Sequence, residues 1–327
     1  MISSCIITIL WERSSAGMND VYQMILDLET TTDSLEATVS YLADKIKPFL
    51  SVLEPVLICF PDEGPASLGG VFKEAVLRCN AKPVIWGPDY CWKELLRVAF
   101  DSHANTVVGH PLLILGLMKL ARATATPLYI YDVILCGDPF ARWMVDDLKA
   151  GLDCRVWGCY AVRSGPVVAG FSCEQDAGIH IRQDVFFPEL VSDSDKQDGT
   201  NRGKLLFVSA KNPELVYDPE HMVLMHEEGC SCGCEEPSVL EANALREDKL
   251  SSEMLEGKFL AWSSVLDYRA EKTESGMSLE LVVFPGESLP KVPSVAKLMV
   301  RPWNPNDIPF CMQQYTTKIS ENFVETH

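Results

Sequence analysis

Along its first half the chain alternates short β-rich apolar runs with amphipathic stretches of helical spacing. Residues 56–60 read as a strand, and residues 66–79, opened by Gly64 and Pro65, as a helix. A second strand falls at 83–86, a helix at 92–100 and a short strand at 106–109. Pro111 stands where a helix takes its first-turn proline, ahead of the apolar run 112–123. Residues 130–136, 139–152 and 155–157 continue as strand, helix, strand. This succession predicts an α/β core, a mostly parallel sheet with helices flanking both faces.

Beyond residue 165 the pattern changes. Segments 166–173, 178–191 and 204–210 are β-rich and read as antiparallel, with 192–202 as a polar surface turn. A cysteine-rich knot follows at 229–237, then an acidic stretch, 238–256, that reads as helical. Strands resume at 261–268 and 279–284 among closely spaced prolines, which predicts a small C-terminal α+β domain over 251–327 after a core of 1–250. The sequence carries no internal repeat and no low-complexity tract.

Charge narrows the functional classes. The 327 residues hold 28 Lys+Arg against 46 Asp+Glu, a formal charge of −18. Such a surface repels phosphate backbones and anionic lipid, which argues against a nucleic-acid or membrane-surface role. An anionic ligand such as ATP would need a local pocket of backbone N–H groups or a metal. The longest apolar stretch, 107–121, is broken by His110, Pro111 and Lys119 and is too short to span a bilayer. The first eleven residues lack a basic segment and a cleavage site, so no signal peptide is expected. Of the twelve cysteines most sit singly in apolar runs, as Cys59, Cys136, Cys154 and Cys159 do. They read as reduced thiols, and the expected location is cytoplasmic.

The densest chemistry is the run Gly229-Cys230-Ser231-Cys232-Gly233-Cys234. A Cys-x-Cys pair supplies two metal ligands and needs two more from elsewhere. Cys173 and His180 flank a turn and can face each other across a hairpin, which would complete a closed Cys3His set suited to structural Zn2+. His221 and His226 are competing donors, and Cys234 could replace either of its neighbours. A reduced surface turn, or one that oxidises to a disulfide, is the plain alternative.

These residues, taken in order, resemble the phenylacetate–coenzyme A ligase branch of the adenylate-forming (ANL) enzymes over roughly residues 50–237. The resemblance is densest in Cys173-x6-His180 followed by Ile181-Arg182-Gln183-Asp184-Val185-Phe186-Phe187-Pro188-Glu189. It continues in Gly203-Lys204-Leu205-Leu206-Phe207-Val208 and in Cys230-Ser231-Cys232-Gly233 followed by Pro237. Several members of that family hold zinc at these Cys, His, Cys and Cys positions, which implies Cys173, His180, Cys230 and Cys232 as the metal ligands here.

The same resemblance implies a nucleotide pocket. Cys136-Gly137-Asp138-Pro139 is similar to the family's Gly-Glu-Pro turn at the adenine, although Gly-Asp-Pro before a helix is also an ordinary helix start. Trp157-Gly158-Cys159-Tyr160-Ala161 is similar to the Tyr-Gly-x-Thr/Ser-Glu motif, with Ala161 where the family's magnesium-holding glutamate stands. The implied nucleotide-binding residues are therefore Gly137, Asp138, Pro139, Trp157, Gly158 and Tyr160. Ser14-Ser15-Ala16-Gly17-Met18-Asn19 is at best a remnant of the phosphate loop, lacking its paired threonines and lysine. The family's Arg-Tyr-x-Thr-Gly-Asp, whose aspartate grips the ribose, falls on Val216-Tyr217-Asp218-Pro219-Glu220-His221. No catalytic lysine can be placed.

The resemblance thus implies a ligase that activates an aryl or acyl carboxylate with ATP, Mg2+ and CoA, or a catalytically silent relative that binds nucleotide or acts in regulation. The sequence begins near the phosphate loop, so a homodimer or a partner chain would supply the family's N-terminal portion.

Overall fold

The structure, a computed structural model, describes residues 32–65, 67–87, 89–161, 168–175, 178–191, 196–197, 200–214, 216–219, 221–226, 230–244, 263–273, 276–285 and 297–312. The phosphate-loop remnant at 14–19, the apolar run 1–11 and the stretch 245–262 lie outside them. Helix α1 (Thr32–Ile46) and a 3-10 turn (Lys47–Phe49) lead into β1 (Pro55–Ile58), α2 (Leu68–Arg78), β2 (Lys82–Ile85), α3 (Trp92–Asp101), β3 (Thr106–Gly109), α4 (Pro111–Ala123), β4 (Asp132–Cys136), α5 (Arg142–Leu152) and β5 (Arg155–Ala161). All pairings among β1–β5 are parallel, in the order β2-β1-β3-β4-β5.

Period-two alternation decides which layer each strand side chain meets. Val56 and Ile58 join Val108, Ile134 and Cys136 in a core beneath α1 and α2. Leu57 and Cys59 join Val107, Val133 and Leu135 in a second core beneath α3, α4 and α5. Burial on both faces is why these strands read as unbroken apolar runs. Helix α2 starts at Ser67, whose Oγ accepts from the Gly70 N–H (3.0 Å). Helix α4 starts at His110, whose Nδ1 accepts from the Leu112 N–H (3.3 Å) just before Pro111.

The sheet continues past β5 with reversed sense through β6 (Val168–Ser172), β7 (Ile179–Ile181), β8 (Phe186–Val191), β9 (Lys196–Gln197), β10 (Thr200–Ser209), β11 (Val216–Tyr217), β12 (His221–His226) and β13 (Ser238–Ala244). The order beyond β5 is β6-β7-β13-β12-β10-β11, with β8 and β9 also on β10, and every added pairing is antiparallel. Leu205, Phe207, Val223, Met225 and Val239 form a third core on one face.

Two expectations are corrected here. The segment from 238, read as helical, opens as β13, because pairing with β12 and β7 buries Val239 in this core and tertiary context overrides the acidic composition. The polar turn over 192–202 is shorter than expected, since β10 starts at Thr200 and pairs with β9.

A separate three-stranded sheet comprises β14 (Val265–Thr273), β15 (Gly276–Val283) and β16 (Lys297–Pro302), with β15–β16 parallel. It packs on α4 through Val265, Tyr268, Leu279 and Leu281. Lys119 of α4, buried there, donates to the Val265 carbonyl (2.7 Å), and burial pushes its ammonium down to about 7. The following segment caps α3, whose first amides donate to the Asp307 and Pro305 carbonyls (3.0 and 2.8 Å). Among the described residues no helix is long and apolar enough to cross a membrane.

Candidate functional site

A cavity of about 300 Å3 opens where the C-terminal ends of β4 and β5 meet the antiparallel strands. Such strand ends are where open α/β sheets receive ligands. After Cys136 the backbone turns at Gly137, whose φ of +100° suits glycine, so α5 starts at Arg142 rather than at Pro139. Gly137, Asp138 and Pro139 thereby line the cavity. Asp138 Oδ2 lies 2.6 Å from Nε2 of the buried His110. Burial opposes a charged His110 ring, but the Asp138 carboxylate and the Cys311 sulfur together outweigh it and hold the imidazole well above its usual pKa.

Gly158 forms another part of the wall. A Cβ there would come within 2.9 Å of both Ile179 Cδ1 and Phe140 Cζ, so the missing side chain lets those residues close over β5. Tyr160, on the same face, sets its hydroxyl 2.5 Å from His221 Nδ1. Burial pushes the Tyr160 phenol well up, so it stays protonated at neutral pH. His221, a competing metal donor by sequence, is therefore part of the cavity wall. Trp157 is placed elsewhere. Its indole stacks on Phe49 (4.7 Å between centroids) and donates from Nε1 to Asp132 Oδ1 (2.8 Å), on the opposite face from the cavity.

Sequence reasoning missed the far wall. Val239, Leu240, Glu241 and Ala242 all line the cavity, although alternation would turn every second one away. The cause is a bulge. Glu241 pairs with Leu224 and Val239 with Met225, leaving Leu240 as the extra residue. A second register shift, between Tyr160 and Ala161, leaves Ala169 unpaired on the opposite side. Bulges re-aim side chains beside sites in this way, and no sequence signal marked either one.

The cysteines form a second constellation about the ends of β6 and β7. The ligand atoms of Cys173, His180, Cys230 and Cys232 all lie within 4.8 Å of one another. Cys173 Sγ is 3.8 Å from Cys230 Sγ, and Cys232 Sγ is 3.6 Å from His180 Nε2. Tetrahedral zinc with bonds of about 2.3 Å to sulfur and about 2.0 Å to nitrogen has edges of about 3.8 and 3.5 Å. The donor set and its spacing fit that ion. His180 Nδ1 faces the Glu236 carbonyl at 3.4 Å, which leaves Nε2 toward the thiols.

The knot is a tight turn in which the Gly233 N–H donates to the Cys230 carbonyl (2.9 Å) with Gly233 at φ +86°. The Cys232 N–H holds the Cys230 thiol below its usual pKa, which favours the thiolate. Of the competing donors, Cys234 turns to Glu236 Oε2 (3.4 Å), and His226 lies on β12 outside the cluster.

A parallel α/β core that runs on into an antiparallel sheet, with a small separate sheet after it, is a fold found in acyl-CoA ligases. A 2-hydroxyisobutyryl-CoA ligase in the postadenylation state, in complex with R3-HIB-AMP, superimposes with a TM-score of 0.61 at 13% identity, over 90% of this chain and 73% of that one. The same ligase in an open conformation with 2-HIB-AMP and CoA gives 0.55 at 15%, over 85% and 69%. A benzoate-CoA ligase from Burkholderia xenovorans LB400 gives 0.52 at 12%, over 86% of this chain and 65% of that one. No family sequence model matches the chain, and no curated protein matches it in sequence.

Proposed function

We propose that this chain is an acid–CoA ligase-like protein of the adenylate-forming family, in the phenylacetate–CoA branch, and that it works on a small aryl or acyl carboxylate in the cytoplasm. The observation that carries this reading is the cavity at the ends of β4 and β5, lined by Gly137, Asp138, Pro139, Gly158 and Tyr160. The turn backbone would meet the adenine, and the apolar side chains Phe140, Val145, Ile179 and Val239 would enclose the body of the ligand. ATP and CoA are the expected co-substrates. Zn2+ bound by Cys173, His180, Cys230 and Cys232 would be structural, since four protein ligands leave no open position. Residues 1–250 are assigned to the adenylate-forming core and 251–327 to a small terminal domain.

Carboxylate-dependent exchange of labelled pyrophosphate into ATP tests the activity. Exchange with at least one aryl or short acyl acid supports it, and none across a broad panel overturns it. One observation favours a second reading, binding without turnover. Ala161 lines the cavity where the resemblance calls for the carboxylate that holds Mg2+. Thermal shift alongside the exchange assay separates the two readings, since a ligand at 100 times its Kd adds about 2.7 kcal/mol of stability whether or not it is turned over, and a shift without exchange is binding alone.

A further inference from the structure

A second cavity, of about 440 Å3, lies where the later halves of α4 and α5 meet the C-terminal sheet. It shares no lining residue with the first. Of its lining, Met118, Lys119 and Phe284 are buried, whereas Arg122 and Asp147 are exposed. A buried floor under an exposed rim makes an open pocket, not a sealed void. Lys119 donates from Nζ to the Val265 carbonyl (2.7 Å), a bond that a neutral amine makes as well. A carbonyl carries no net charge, and burial pushes the Lys119 ammonium down to about 7. Two carboxylates act on it, Asp147 of α5 and Asp267 of β14, and together they do not make good the lost hydration. Asp147 is screened by solvent, and Asp267 is itself pushed up to about 7 by burial. Arg122, on the next turn of α4, adds a second cation to the pocket. Positive charge from Lys119 and Arg122 thus meets one exposed carboxylate, beside apolar surface from Met118 and Phe284. That balance suits a monoanion with an apolar body. A dianionic phosphate would find too little positive charge on a chain of formal charge −18.

We propose that this cavity binds a small organic carboxylate, held by Lys119 and Arg122 with its apolar part against Met118 and Phe284. Because Val265 opens β14, the bound ligand ties the C-terminal sheet to α4 and α5. Binding draws a proton onto Lys119, around which the other charged groups are Arg122 on α4, Asp147 on α5 and Asp267 on β14. The site is separate from the nucleotide cavity and does not rest on the function proposed for it.

The experiment is calorimetric titration of benzoate, hexanoate and their neutral amides into the full chain at neutral pH, repeated in buffers of different ionisation enthalpy. At least one carboxylate should bind and take up a proton, with its amide at least about tenfold weaker, the scale of one charge-assisted contact. Lys119→Met should lose the proton uptake and at least about tenfold in carboxylate affinity, and Arg122→Ala a smaller part of that affinity. Trace acetylation of the wild type, read by peptide mass spectrometry, needs no variant. The carboxylate should slow modification of Lys119 and leave the exposed Lys82 unaffected. Undiminished carboxylate binding by Lys119→Met puts the ligand elsewhere and overturns the proposal, with the reading of the nucleotide cavity left standing. Equal affinity for acid and amide, full labelling of Lys119 with carboxylate present, or no binding by either acid overturns it too. Should Lys119→Met fail to fold, the labelling decides alone.

Discussion

The two halves of the large sheet hold together differently, and their cysteines show it. In the parallel half Leu57 and Ile58 are fully buried on opposite faces of β1, each beneath its own layer of helices. Cys59 and Cys136 are buried there as small hydrophobes. Burial pushes the Cys59 thiol far up, so it stays protonated and inert. In the antiparallel half β6 and β7 are still buried, but packing thins toward the outer strands, and Phe187 and Val191 of β8 are about half exposed. Here cysteine has the opposite use. Cys173, Cys230 and Cys232 gather with His180 where β6, β7 and the loop before β13 meet. A metal cross-link there would tie the thinly packed outer strands to β6 and β7, a tie for which the parallel half has no need.

Metal removal should break that comparison most sharply. Metal free energy is folding free energy where the site does not survive unfolding, about 10–16 kcal/mol in the smallest zinc domains. The antiparallel half keeps a core of its own, so a loss on the order of 5 kcal/mol is expected. Elemental analysis should find one zinc per chain. After chelation, or in Cys230→Ser, hydrogen exchange should accelerate in β7 and β13 and stay slow in β1, β3 and β4. Uniform acceleration, or no zinc at all, would show that the cluster does not staple the sheet.

The second effect concerns how the C-terminal sheet is attached. Asp267 of β14 is buried, and burial pushes its carboxyl up to about 7, although it accepts from the Phe310 and Tyr268 N–H groups (2.8 and 2.9 Å). An unfolded aspartate titrates near ~3.9. The folded chain therefore keeps a proton that the unfolded chain releases, and this group's contribution is full below pH ~4 and falls as pH rises to about 7. The total is roughly 4 kcal/mol. Lys119 runs the other way. With its ammonium pushed down to about 7, its contribution is present above pH ~10.4 and is lost as pH falls through about 7. Chemical denaturation at pH 5 and pH 7.5 should show the wild type losing stability relative to Asp267→Asn between the two. Parallel profiles would show that the sheet is held by packing alone, as the core is.

How much of this the sequence discloses follows from the same contrast. Parallel strands buried on both faces leave continuous apolar runs, so β1, β3 and β4 and their helices stand out in the chain, with Pro111 marking α4. The clustering of Cys173, His180, Cys230 and Cys232 was legible because these residues are chemically distinctive wherever they fold. The antiparallel strands β11, β12 and β13 were not legible, because few of their side chains are fully buried and their identity comes from pairing. The cavity was half visible. Its Gly137–Pro139 and Gly158–Tyr160 wall lies in contiguous motifs, whereas His221 and Glu241 arrive through sheet register and a bulge. Trp157, adjacent to Gly158 in the chain, ends on the far face because alternation turns neighbours apart.

Within the parallel half, damage should stay local in kind but be felt throughout. Leu57→Ala removes a fully buried side chain that packs beneath the α3–α5 layer. The expected cost is about 3 kcal/mol from lost transfer energy and the cavity left behind. Zinc content should be unchanged, because no ligand lies near that core. Denaturant titration together with metal analysis checks both, and zinc loss in this variant would mean that the two halves fold as one unit.

The smallest effect sharpens the comparison at a single helix end. Ser67 Oγ accepts from the Gly70 N–H, accepts weakly from the Glu63 N–H (3.2 Å) and donates to the Gly64 carbonyl (2.7 Å). It therefore caps α2 and also pins the turn that leads from β1. Ser67→Ala strands those partners and should cost about 1 kcal/mol, whereas Ser67→Asp keeps an acceptor for the helix amide and should recover most of it. Because α2 caps one core of the parallel half, the loss should appear as a lower denaturation midpoint with an unchanged slope. A changed slope would mean that α2 frays from the sheet on its own, and the parallel half would then be less cooperative than its double-sided burial implies.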